Sequence, residues 1–90
     1  MTGLDDRLVN LDVALARHIA PRVRMFANTD TGSYPAELES REEWLDILNR
    51  IATAFEFAGK DDYYNPNPDE IAQFDSALHE FATWYRRLWI

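Results

Sequence analysis

The sequence predicts an all-α fold, an antiparallel three-helix bundle with its first helix kinked at Pro21. Three observations predict it. Three stretches carry apolar residues in alternating steps of three and four, the spacing of a helical stripe. Two of the three open on an explicit helix-start signal. The stretches between them are rich in Gly, Pro, Asn, Asp, Ser and Thr, and none of the three has the strict alternation of a half-buried strand. The 90 residues are read as a single helical domain, 1–90, with helices at about 5–27, 41–58 and 68–89.

The first helix is expected from about Asp5 or Asn10 to Ala27, with Leu8, Leu11, Leu15, Ile19, Val23 and Phe26 on the buried face. Asp5, Asp6 and Asp12 suit the positive end of its dipole, and Asn10 is a candidate N-cap for a late start. Pro21 removes the hydrogen bond to the Arg17 carbonyl and crowds that turn. The stripe keeps its phase across Pro21, so the expectation is one kinked helix. Asn28 to Glu39 reads as a loop, with Tyr34 and Leu38 folding back onto the bundle.

Ser40-Arg41-Glu42-Glu43 reads as a capping box: Ser40 accepts from the Glu43 amide and the Glu43 carboxylate reaches back to the Ser40 amide. Trp44, Ile47, Leu48, Ile51, Phe55 and Ala58 then form one face. Gly59 is placed to end the helix in a left-handed conformation. After a second loop over 60–66, Asn67 caps the third helix, Pro68 takes its first position, and Asp69 and Glu70 complement the dipole. Its stripe is Ile71, Phe74, Leu78, Phe81, Tyr85 and Leu88.

Composition narrows the function. Sixteen acids against nine bases give a formal charge of −7, which opposes binding to nucleic acid or to an anionic lipid surface. With no cysteine, disulfides and thiolate zinc sites are excluded, and a reducing cytoplasm is the expected setting. No basic-then-apolar leader opens the sequence, and no apolar run approaches the ~20 residues that span a bilayer. No phosphate loop, nucleophile elbow or His-Glu-x-x-His is present, so no enzyme is expected. Glu43 and Asp46 have no matching second carboxylate pair, and His18 and His79 lie in separate segments. No metal or cofactor is expected.

Two groups of residues are candidates for binding. Arg17, Arg22 and Arg24 cluster with His18 around Pro21 and form a candidate anion site, since guanidinium groups bind carboxylate and phosphate bidentately. The competing reading pairs them with acids of the second helix, such as Asp46, Glu56 or Glu43. Trp84, Trp89, Tyr63 and Tyr64 lie beyond the third helix's main stripe and form a candidate partner-binding surface, because interfaces favour aromatic residues. The competing reading places Trp84 and Trp89 in the core of a thin bundle.

Several short stretches together resemble a group of small proteins encoded by tailed bacteriophages and prophages. These are Leu11-Asp12 with Leu15-Ala16; Ile19-Ala20-Pro21-Arg22-Val23 with Phe26; Tyr34-Pro35 with Leu38; Glu42-Glu43-Trp44 with Ile47-Leu48; Ile51 with Ala54-Phe55-Glu56; and Phe81, Tyr85 and Leu88-Trp89. The similarity covers most of 11–90. The chain departs from it in placing Ser33 between Gly32 and Tyr34-Pro35, and in lacking basic residues after the first helix. The resemblance implies an origin and a setting, the cytoplasm of an infected bacterial host, and no mechanism. It draws attention to Arg22, Glu43, Trp44 and Glu56 as a buried polar cluster at the kink or a binding surface. The expected function is that of an acidic accessory protein binding a host or phage protein, with possible inhibition of it in host takeover. The alternatives are sequestration of a nucleotide or other anion by the arginines, and a self-associating structural subunit, a homo-oligomer. No direct nucleic-acid or membrane partner is expected.

Overall fold

The structure is a computed structural model that describes residues 10–29, 33–60 and 67–88. It contains α1 (Leu11–Asn28), α2 (Arg41–Ala58) and α3 (Pro68–Trp84), followed by a 3-10 turn over Tyr85–Arg87. Four-fifths of the described residues are helical and none is in a strand, so the all-α bundle is observed.

α2 is the centre. Arg17 meets Gly59 and Arg24 meets Asn49, which sets α1 antiparallel to α2. Trp44 meets Trp84 and Phe55 meets Phe74, which sets α3 antiparallel to α2 on its other flank. α1 and α3 therefore run parallel to each other, and each packs on α2 far more closely than on the other. Leu48, Ile51 and Ala52 of α2 are essentially sealed from solvent because they are covered from both sides.

Of the α1 stripe chosen by side-chain size, Val23 is buried as expected, but the rest of the buried row lies elsewhere. The buried residues are Val13, Ala16, Ala20, Val23 and Ala27. Ala16, Ala20 and Ala27 each follow an expected core residue (Leu15, Ile19, Phe26) by one position, a rotation of about 100°. Alanines let the α1 backbone approach α2 closely, so the seam forms there and the larger side chains take the edge or the outside. Ile19 and Phe26 are half-buried against the core, whereas Leu11 and Leu15 are exposed. On α3, Phe74, Phe81 and Leu88 face α2 as expected, but Ala77 and Trp84 complete the row in place of Leu78 and Tyr85.

The element ends also differ from expectation. α1 begins at the later of the two expected starts, after Asn10, but Asn10 is left-handed (φ 53°) and makes no side-chain cap bond; residues 5–9 lie outside the described residues. The helix continues without a break through Pro21 to Asn28. Ser40 Oγ does accept from the Glu43 amide at 3.1 Å, but the Glu43 carboxylate accepts from Glu39 N at 2.9 Å, one residue beyond the expected donor. The reciprocal box is found at α3: Asn67 Oδ1 accepts from Glu70 N at 2.8 Å and Glu70 Oε1 from Asn67 N at 2.9 Å. Gly59 is not left-handed; its φ is −87°. α3 tightens into the 3-10 turn after Trp84 and does not run on as α-helix to residue 89, with Leu88 N bonded to Tyr85 O. In the first loop Leu38 packs on the core as expected, but Pro35 is buried while Tyr34 is exposed.

Candidate functional site

The expected arginine cluster is not brought together at one point. Arg24 turns toward α2, where Nε and Nη2 grip the two oxygens of Glu56 at 3.1 and 2.8 Å. The same guanidinium donates to Asn49 Oδ1 at 2.7 Å and Thr53 Oγ1 at 3.1 Å. The hydrogen bond to Glu56 raises the Arg24 pKa above its ordinary value, against the opposing effect of partial burial. Arg17 Nε donates to Gly59 O at 2.7 Å, capping the last turn of α2. Arg22 points outward and donates only within its own helix, to His18 O at 2.9 Å. Two of the three arginines thus clamp α1 to α2.

The suggested buried polar cluster is absent: no described polar or charged residue is buried. Trp44 is core, Glu56 holds Arg24, Glu43 caps α2, and Arg22 faces solvent.

Trp84 is half-buried and packs edge-to-face on Trp44, with ring centroids 5.7 Å apart. Phe55 packs on Phe74 and Phe81 along the α2–α3 seam with ring centroids 5.6 and 5.2 Å apart, and Phe81 meets the exposed Tyr85 at 5.8 Å. Trp84 therefore serves the fold. Trp89, Tyr63 and Tyr64 lie outside the described residues.

A groove of about 780 Å³ runs along α2 and α3, with Ala54, Phe57, Phe74 and Ala77 in its lining. Its charges are largely matched internally. Arg50 grips Glu80 through two bonds of 3.1 and 2.7 Å, which raises the Arg50 pKa, and Lys60 lies over the Phe57 ring. Among the described residues, no three His, Asp or Glu converge in a way that would hold a metal ion. No described helix is long and apolar enough to cross a membrane.

What the fold leaves outside is more informative. On α1, Leu11, Leu15, His18, Arg22 and Met25 follow one another at steps of four, three, four and three, so they form a second stripe, opposite the alanine seam. All five are exposed, with Leu15 at 51% and Met25 at 69%. The stripe contains no acid, although acids outnumber bases in the chain. Sequence reading ranked Leu11 and Leu15 as core by their size; the signal it missed was the alanine row one position on.

The chemistry of this stripe is that of a contact surface. Flexible apolar side chains bury area, and Arg22 and His18 supply donors to a carboxylate-bearing surface. Compared with known protein families, curated proteins and solved structures, the chain matches none.

Proposed function

We propose that the chain is an accessory protein of the phage-encoded kind its sequence resembles, acting in the cytoplasm of an infected bacterium by binding a host or phage protein. The observation that carries this reading is the outer stripe of α1, where Leu11, Leu15 and Met25 stay in solvent beside Arg22 and His18. A bundle that needed these side chains for its core would have buried them. A target with an apolar patch edged by carboxylates complements the stripe. Occlusion of that target's own working surface is the simplest inhibitory effect. The interlocked arginines Arg17 and Arg24 favour this reading over anion sequestration, which would require breaking their bonds to α2.

The test is site-specific photocrosslinking in bacterial lysate. A photoreactive residue at position 15 is expected to yield a discrete adduct, and the same residue at Ser76 of α3 none. Arg22→Glu in the position-15 protein is expected to weaken the adduct at least tenfold while leaving the circular dichroism unchanged. Equal labelling at both positions, or indifference to Arg22→Glu, contradicts the proposal.

A further inference from the structure

The outer stripe of α1 has the period of a coiled-coil seam. Leu11, Leu15, His18, Arg22 and Met25 advance by four, three, four and three residues, and so stay inside a band about 80° wide. The row is about 21 Å long at 1.5 Å per residue. A straight row of that kind is matched along its whole length by a second helix, whose side chains repeat at the same interval. All five residues are exposed, and the alanine seam that α2 covers is on the opposite side of α1.

Charge says which helix, because His18 and Arg22 lie on the row itself, between the leucines and Met25. Among the described residues Arg22 makes one hydrogen bond, from Nη1 to the His18 carbonyl, which leaves further guanidinium donors for a carboxylate. Asp12, the one acid of α1, lies off the row, on its flank beside Leu15. α1 carries three arginines against that single acid, so it is +2 in a chain of −7 and the remainder of the chain is −9. An acidic partner is repelled by the remainder and drawn to α1, which orients the encounter. The α1 of a second copy does not fit. Laid parallel, it sets Arg22 on Arg22; laid antiparallel about His18, it sets His18 on itself and Arg22 against Leu15. Either arrangement desolvates a cation without a partner.

We propose that the outer row of α1 receives an acidic amphipathic helix of the partner, seated as the second strand of a short coiled coil. That helix sets apolar side chains against Leu11, Leu15 and Met25, and carboxylates against His18 and Arg22, where the guanidinium fork can hold one bidentately. The inference rests on the docking function proposed above and adds the shape and charge of what docks. A seam this short buries less than a standard interface, so the complex is a transient one.

Fluorescence anisotropy of two labelled synthetic helical peptides, titrated with the whole chain, provides the test. Both peptides repeat leucine at the seam positions; at the centre of the seam one has glutamates and the other lysines. The like charges there also keep each peptide from pairing with itself. The glutamate peptide is expected to bind at least tenfold tighter than the lysine peptide. Arg22→Glu is expected to reverse that order. Leu15→Glu is expected to lose the glutamate peptide with the circular dichroism unchanged, and Ser76→Glu on α3 to change neither. Equal binding of the two peptides, no binding of either, or the same order after Arg22→Glu would overturn the proposal. So would light scattering that shows wild-type dimers dispersed by Arg22→Glu, since a second copy would then fill the row. A discrete lysate adduct at position 15 beside indifference to the peptides would sink the acidic helix and leave the docking function standing. Loss of the adduct itself would mark the failure of docking.

Discussion

Gly59 ends α2 as expected, but not for the reason its residue type suggests. Its φ of −87° is open to any residue, so no left-handed turn requires glycine there. A β-carbon at this position would instead lie 3.0 Å from Arg17 Cγ and 3.4 Å from the Phe55 carbonyl. Glycine lets the Arg17 side chain lie flat over the end of α2 and reach the Gly59 oxygen. Gly59→Ala is expected to cost about 0.5–1.5 kcal/mol by displacing that hydrogen bond. In an Arg17→Ala background the same change is expected to be neutral or stabilising by up to ~1 kcal/mol, because only the loss of unfolded-state freedom remains. A double-mutant cycle by urea unfolding reads the coupling; strict additivity would show that the two residues do not meet. Arg24 and Arg50 add a pH consequence. A base whose folded pKa is raised stabilises the fold fully below its unfolded value and loses that contribution only as pH climbs through the folded one. Their part in stability is therefore constant through neutral and mildly alkaline solution.

At the scale of the element, α2 was the most legible. Its boundaries, Ser40 cap and buried face match the sequence expectation because both flanks of the helix are covered, so every large apolar residue in the stripe has somewhere to go. α1 and α3 each have one neighbour, and a one-sided helix buries one row only. Size alone then misleads: on α1 the seam went to alanines, and on α3 Ala77 and Trp84 displaced Leu78 and Tyr85. The start of α3 was legible from Asn67, Pro68 and Glu70, since those residues act on backbone groups within one turn. Its tightening after Trp84 carried no residue signal. Trp84 gives the element-scale test. Its edge-to-face contact with Trp44 makes it structural, so Trp84→Ala is expected to cost about 2–4 kcal/mol in denaturant unfolding. A change below ~0.5 kcal/mol would mark it as a surface residue, as the partner-binding reading of the sequence has it.

For the whole molecule, one helix between two others divides the surface into distinct faces. Side-chain bonds fasten the helices: Arg24 and Arg17 hold α1 to α2, Arg50–Glu80 holds α2 to α3, and Arg87–Glu37 holds the end of the third helix to the first loop. With those residues engaged, the outer stripe of α1 remains exposed. The candidate site was the least legible part of the sequence. Arg22 and His18 were singled out, but Leu11 and Leu15 were hidden by their own hydrophobicity, which reads as core until the helix is turned about its axis, and Met25 was in neither group. The most direct measurement is the unfolding free energy of Leu15→Glu beside that of Ala20→Glu. If the alanine seam is inside and the leucine stripe outside, Leu15→Glu stays within about 1 kcal/mol of wild type and Ala20→Glu, which buries an unpaired charge, loses 3 kcal/mol or more on the order expected for such groups. The reverse ranking would put the leucines back in the core and remove the docking face.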